Sequence, residues 1–205
     1  MHFLDPRHLI ESLGAFVYIG LFAIVFAESG LFFGFFLPGD SLLLTAGLFA
    51  YQGTLDIRIL LPLLFTATVL GDQVGYWFGR RVGPPLFKRE ESFLFKPRNL
   101  EAARAFYEKH GGKTITLAKF MPFIRTFAPI VAGAVGMNYR RFCLFSLTGG
   151  LVWAVGVTLA GYLLGRAFPP EVLDRYFVLI IGVVILLSVA PSALHVWKEH
   201  RARSA

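Results

Sequence analysis

The chain has 205 residues, of which 56% are hydrophobic and 16% are charged, and its formal net charge is +7. Soluble domains average about 25% charged residues, so this composition excludes an ordinary water-soluble domain and indicates an all-α integral membrane protein. The length allows one membrane domain, residues 1–205, with about four to six hydrophobic elements. Cys143 is the single cysteine, so neither an intrachain disulfide nor a cysteine-based metal site is expected.

The first part of the chain contains three apolar elements. Residues 16–27 are the body of a helix that starts near Leu9, and no signal-peptide cleavage pattern accompanies it, so we expect it to be retained. Residues 31–50 are apolar but interrupted by Pro38-Gly39-Asp40. Residues 59–79 are long enough to span, since about 20 helical residues cross roughly 30 Å of hydrocarbon.

A basic loop follows over residues 80–113, which hold nine of the 20 Lys and Arg residues. The positive-inside rule explains this cluster better than nucleic-acid binding does, so we predict a cytoplasmic loop and no nucleic-acid partner. Within the loop, residues 97–110 have the pattern of an amphipathic helix on the membrane surface, or equally of a solvated connecting helix.

The second part of the chain repeats this plan. Residues 114–137 are apolar but interrupted by Pro122 and Pro129, and residues 142–165 and 176–197 can each span. The motif GYWFGRR in the first part recurs as GYLLGRA, 86 residues later and at the end of a span. We therefore predict two repeats, 28–80 and 114–166, each a broken segment followed by a span, between flanking terminal helices.

Each broken segment is predicted to form a re-entrant helical hairpin. Non-helical backbone at membrane depth must be buried in protein or line a cavity, and an unbroken span would carry a charge near its centre. Folded in half, each segment gives arms of about 9–10 residues, or about 14 Å. The predicted turns are at Pro38-Gly39 and between Pro122 and Pro129, with Asp40 and Thr126 as N-caps of the returning arms.

Lys119 and Arg125 are the two cations of the second hairpin. Six residues separate them, which is about 240° on a regular helix, so they converge only if the chain turns at Pro122. A guanidinium, an ammonium and the free N–H groups of a helix start, with Thr126 beside them, would suit a phosphate. We therefore predict phosphate binding by Arg125, Lys119 and Thr126.

The acidic residues leave alternatives open. Glu28, Asp40 and Asp72 are predicted to couple protons or to gate transport, because acids inside a membrane are usually functional. Alternatively, Arg125 could be a structural cation paired with Glu28 or Asp40. Glu28 could instead be interfacial, and Asp40 could serve only as a helix cap. No histidine has metal-ligand spacing, so no metal or cofactor is predicted.

The positive charge also predicts the orientation. Most Lys and Arg fall on one side if both termini and the basic loop are cytoplasmic. The two repeats then have opposite orientations, so the two hairpins would meet near the bilayer midplane, as in many secondary transporters.

Three motifs resemble those of the DedA family, also called the SNARE-associated or VTT-domain family. They are Glu28 with PGD at 38–40, GDQVGYWFGRRVG at 71–83, and KFMPFIRTFAPIVAG at 119–133. The resemblance covers about residues 10–190. Lys119 departs from it, because the family usually has arginine there, so the preferred headgroup could differ.

The resemblance implies lipid translocation in a bacterial cytoplasmic membrane. The family's essential acids would map to Glu28 and Asp40, and its essential bases to Lys119 and Arg125. The leading hypothesis is a non-enzymatic flippase for a phosphorylated lipid, most simply undecaprenyl phosphate, coupled to the proton-motive force. A homo-oligomer is its candidate assembly. The alternatives are a proton-coupled exporter of small cations or drugs, a non-selective phospholipid scramblase, or an assembly protein without transport.

Overall fold

The computed structural model describes residues 6–31, 34, 37–86, 107 and 112–167, without the side chains of 6–14, 84–86, 122 and 123. Several predictions lie outside the described residues. They are the amphipathic helix at 97–110 (Tyr107 apart), the C-terminal span at 176–197, and most of the basic loop.

All regular structure in the described residues is helical. The elements are α1 Pro6–Gly30, α2 Gly39–Tyr51, α3 Ile57–Leu86, α4 Lys113–Ala118, α5 Pro122–Ala134, α6 Tyr139–Gly150, a π-helical segment Leu151–Val155, and α7 Gly156–Ala167. Helical stretches Ile57–Gly83 and Tyr139–Ala167 are long and apolar enough to cross a membrane. They contain the predicted spans 59–79 and 142–165.

The chain forms two compact units. Among the described residues, one unit comprises 6–21, 38–62 and 156–167. Within it, α2 packs closely on α7, because a Cβ on Gly47 would collide with the carbonyl oxygen of Thr158, and one on Gly161 would collide with that of Leu44. Small residues at such contacts let helix backbones approach in lipid, where no hydrophobic effect drives helices together.

The other unit comprises the described residues within 22–37 and 63–155, and we call it the charged unit because it holds four buried charged side chains. Its packing depends on glycines four residues apart on α3, a spacing that places them on one face of the helix. A Cβ on Gly79 would collide with the carbonyl oxygen of Ile130 in α5. In the same way, Gly30 at the end of α1 abuts the backbone of Gly71. Both α1 and α5 therefore pack backbone-close against α3.

Both segments that were predicted to be broken are broken. After α1, hydrogen bonds between residues three apart replace the four-residue spacing of an α-helix. Gly34 N–H donates to the Leu31 carbonyl (2.8 Å), and Leu37 N–H donates to the Gly34 carbonyl (2.9 Å). A Cβ on Gly34 would collide with the backbone of Ala27, so this turn lies close against the end of α1. In the second segment, the chain leaves the helix between α4 and α5. The re-entrant hairpins and the inverted repeat stay predictions.

The predicted hairpin details were wrong in three respects. The second break lies at 119–121 instead of near Thr126, so the arms have 6 and 13 residues, not about equal lengths. Proline fits the first position of a helix, because its missing N–H would lack an intrahelical partner there anyway, and α5 accordingly begins at Pro122. Pro129 lies inside α5.

The predicted N-caps were also wrong. Pro38 is the N-cap residue of α2, and Asp40 lies in the first helical turn. Thr126 lies within α5, whose N-cap residue is Met121. Pro38 and Gly39 do mark the start of α2, as the sequence suggested.

Candidate functional site

Four charged side chains are buried together in the charged unit, and we call them the charge cluster. The exposed fractions are 0% for Glu28 and Asp72, 1% for Lys119 and 3% for Arg125. They come from α1, α3, the break between α4 and α5, and the first turn of α5. Burying an isolated charge costs several kcal/mol, so each of these groups needs a partner.

Asp72 pairs with Lys119. The ammonium nitrogen lies 2.6 Å from Asp72 Oδ1, and the hydroxyl of Ser146 donates a hydrogen bond of 2.7 Å to Oδ2. Both carboxylate oxygens therefore have a donor, one charged and one neutral. Charge-assisted hydrogen bonds of this length are about twice as strong as neutral ones, so the arrangement ties α3 to the break and to α6.

Glu28 pairs with Arg125. The guanidinium Nη2 donates to Glu28 Oε1 in an ion pair that joins α1 to α5. The hydroxyl of Thr126 donates a 2.9 Å hydrogen bond to the backbone carbonyl of Glu28, so two successive residues of α5 contact the same residue of α1. This answers one open question from the sequence: Arg125 is paired with Glu28.

The indole of Trp153 faces both cations. Arg125 Cζ lies 4.5 Å from the ring centroid, and Lys119 Nζ lies 5.7 Å from it. Both distances are within the range of about 6 Å for a cation–π interaction. Trp153 is 1% exposed and belongs to the π-helical segment, a widened turn of a kind often found at functional sites.

Two glycines make room for the cluster. A Cβ on Gly149 would lie 3.1 Å from Lys119 Cγ, so the absence of a side chain there lets the lysine stem pass along α6. A Cβ on Gly71 would lie 2.6 Å from the carbonyl oxygen of Phe26, which brings the Glu28 and Asp72 helices together. Neither glycine needs a left-handed backbone; both are sites of close approach.

Polar side chains without hydrogen-bond partners are close in sequence to the two acids of the cluster. Within the described residues, no partner is present for the buried hydroxyls of Ser29 and Thr68 or for the buried amide of Gln73. Ser29 follows Glu28, Gln73 follows Asp72, and Thr68 precedes Asp72 by one helical turn. Buried polar groups are usually hydrogen-bonded, so these three side chains have unused hydrogen-bonding capacity in the unit that holds the ion pairs.

Five of the predicted site residues lie in this unit: Glu28, Asp72, Lys119, Arg125 and Thr126. Asp40 does not, because it belongs to the other unit, at the start of α2, where it is half-buried. The sequence analysis did not pair Lys119 with Asp72, and the structure does.

Ser146 and Trp153 were missed. A signal for Trp153 was present, since tryptophan usually lies at the membrane interface, whereas Trp153 is in the middle of the span 142–165 and follows Gly149-Gly150. Ser146 has no comparable signal, because a serine in a transmembrane helix commonly bonds its own backbone.

The charge balance of the cluster limits what it can exchange. Two cations and two carboxylates sum to zero, so an incoming anion requires that a carboxylate be protonated or displaced. A carboxylate can be protonated, whereas arginine keeps its proton in proteins. The cluster can therefore take up an anion together with a proton more readily than it can take up a cation.

The comparisons with known proteins agree on one family. The VTT-domain family profile matches residues 37–163. Protein DedA of Escherichia coli strain K12 is 42% identical over 95% of this chain and 88% of its own length. An uncharacterized membrane protein of Mycobacterium leprae, ML0287, is 45% identical over 98% of this chain and 90% of its own. The E. coli inner membrane protein YqjA is 31% identical over 92% of this chain and 87% of its own. No solved structure matches the chain.

Proposed function

This chain belongs to the VTT-domain (DedA) family of membrane proteins, and from that premise we propose that it translocates a phosphorylated lipid across a membrane. The observation that carries the proposal is the presence of two buried ion pairs, Glu28–Arg125 and Asp72–Lys119, in a chain with two helices long and apolar enough to cross a membrane. Ionisable groups inside a membrane are costly and usually mark a substrate or proton pathway.

The proposed transport step exchanges a carboxylate for a phosphate. Protonation of Glu28 or Asp72 weakens its ion pair and leaves Arg125 or Lys119 with uncompensated charge. The lipid phosphate then takes the place of the carboxylate, with the fork of the guanidinium and the point charge of the ammonium as ligands. Deprotonation restores the ion pairs and releases the headgroup. The sequence of steps couples lipid movement to protons.

The proposed substrate is a polyprenyl phosphate, most simply undecaprenyl phosphate, in the bacterial inner membrane. YqjA of E. coli is named an inner membrane protein, which supports the location. We further propose that both termini are cytoplasmic and that the two broken segments form the re-entrant hairpins between which the headgroup crosses. Asp40, at the start of α2, would take part in proton coupling or gating.

Export of small cations is the less favoured alternative. A cationic substrate would have to displace Arg125 from Glu28 while the guanidinium stays charged, which would leave the arginine without an anion in a buried position. Scrambling of phospholipids without proton coupling uses the same cations but gives the carboxylates no role.

A reconstituted transport assay tests the proposal. The protein is placed in vesicles with a fluorescent polyprenyl phosphate, and its movement between leaflets is followed with and without a pH gradient. We expect transport by the wild type, acceleration by the gradient, and loss in Arg125→Ala. Arg80→Ala is the matched control, since Arg80 is an exposed arginine of α3 in the same unit and contacts Trp77 outside the cluster. Normal transport by Arg125→Ala would refute the proposal, and movement of a cationic dye instead of the lipid would support the exporter.

A further inference from the structure

We propose that Trp153 is the shared partner that holds Lys119 and Arg125 in place when their carboxylates are neutralised, and that it thereby sets the affinity for the anionic headgroup. This inference rests on the proposed function for its ligand but has a test that does not depend on transport. The buried indole faces both cations of the charge cluster: its ring centroid lies 4.5 Å from Arg125 Cζ and 5.7 Å from Lys119 Nζ.

The structure places Trp153 against both cations, one from each ion pair. The hydroxyl of Ser146 donates to Asp72 in one pair, and the hydroxyl of Thr126 donates to the backbone carbonyl of Glu28 in the other. The indole therefore connects two pairs that come from four separate places in the chain.

The indole is important in the state in which a carboxylate of the cluster is protonated and no phosphate is bound. When a carboxylate takes up a proton, its cation remains charged, and the negative face of an aromatic ring stabilises that cation without adding charge. Tryptophan does this best among the aromatic residues, and the effect grows when the site is desolvated. Because Trp153 is 1% exposed, its interaction is of the desolvated kind.

The backbone around Trp153 also differs from a regular α-helix. The π-helical segment Leu151–Val155 widens the helix at the residue that faces the cations, between α6 and α7. A π-bulge shifts the register of the side chains that follow it, so its position decides which one faces the site. Gly149, two residues before this segment, lies against the lysine stem, so helix and cation approach each other closely here.

A double-mutant cycle tests the inference. Glu28→Gln replaces the carboxylate with a neutral group of the same shape, and Trp153→Leu removes the aromatic face. A tryptophan that only fills space would make the two substitutions additive. We expect that Trp153→Leu lowers the Tm of the detergent-solubilised protein by more in the Glu28→Gln background than in the wild type. Trp153→Phe should show a smaller extra loss of Tm in the Glu28→Gln background than Trp153→Leu does, because phenylalanine keeps an aromatic face, although with a weaker quadrupole.

Trp77 supplies the matched control. It also faces an arginine, Arg80, at 5.6 Å, but it is 46% exposed and lies outside the charge cluster. We expect Trp77→Leu to be additive with Glu28→Gln. Additive behaviour of Trp153→Leu and Trp153→Phe as well would overturn the inference. If Trp153→Leu does not fold, the comparison between Trp153→Phe and the wild type in the two backgrounds decides it.

Ligand binding provides the second readout. With dodecyl phosphate as the probe and dodecanol as the uncharged reference, we expect Trp153→Leu to weaken binding about tenfold or more. Coupling in the mutant cycle without any binding of dodecyl phosphate would contradict the proposed function and leave the role of Trp153 intact. Binding that is unchanged in Trp153→Leu, together with additive Tm values, would contradict the role of Trp153 alone.

Discussion

At the scale of single residues, the protein carries an unusual concentration of buried charge. Sequence reasoning found all four members, because an acid or base within an apolar stretch is conspicuous. It could not find the pairing. Glu28 and Asp40 were the candidate partners of Arg125, and no partner was predicted for Lys119. Only the packing of α3 against the break at 119–121 places Asp72 beside Lys119.

The Asp72–Lys119 pair should be strongly coupled. Removing one partner leaves the other as an uncompensated buried charge, so Asp72→Asn or Lys119→Met should each lower the free energy of unfolding by about 3–5 kcal/mol. The double variant should lose much less than the sum, because no orphan charge remains. Unfolding of the detergent-solubilised protein measures this, and additive losses would show that the pair is solvated in the folded protein.

Ser146 should contribute through its hydrogen bond to Asp72 Oδ2. Ser146→Ala is expected to lower the free energy of unfolding by about 1.5–3 kcal/mol, the range for hydrogen bonds to charged groups. Thr148→Ala on the same helix is the control, because that hydroxyl is exposed and surface substitutions stay within about 0.5 kcal/mol. Equal effects of the two variants would mean that the Ser146 hydroxyl is not directed at the carboxylate.

At the scale of helices, apolar length predicted the spans well, and the breaks were placed less well. Residues 59–79 and 142–165 both lie within helices. The error concerned proline: Pro122 and Pro129 were read as the two ends of a turn, whereas proline breaks a helix mainly on its N-terminal side and can start a new one. The helix accordingly starts at Pro122 and continues through Pro129.

The glycines at close helix contacts predict where a substitution by alanine destabilises the protein. Gly79→Ala puts a methyl group into the carbonyl of Ile130 and should separate α3 from α5, which destabilises the protein and displaces Arg125 from Glu28. Gly20→Ala is the control, since a Cβ there meets nothing within 4 Å. Alanine is favoured over glycine in helices by up to about 1 kcal/mol, so Gly20→Ala should be neutral or stabilising. Thermal unfolding of the two variants compares them, and equal Tm values would contradict this packing.

At the scale of the whole molecule, composition alone predicted a helical membrane protein, and the family comparison supports that class. What composition and motifs could not predict is the location of the site. The charge cluster is assembled within one compact unit from α1, α3, the break at 119–121 and α5, and its contacts Ser146 and Trp153 come from α6 and the π-helical segment. Such assembly depends on backbone-close packing at glycines, whose partners are not encoded in any local pattern.

Proton uptake on ligand binding tests the central claim, that the buried cluster exchanges protons for a phosphate, most directly. Dodecyl phosphate is titrated by calorimetry into the wild type and into the Glu28→Gln/Asp72→Asn variant, in buffers of different ionisation enthalpy. The wild type should take up more protons per ligand bound than the variant, and its affinity should rise as the pH falls. Equal proton uptake by the two proteins, or binding to neither, would contradict the account.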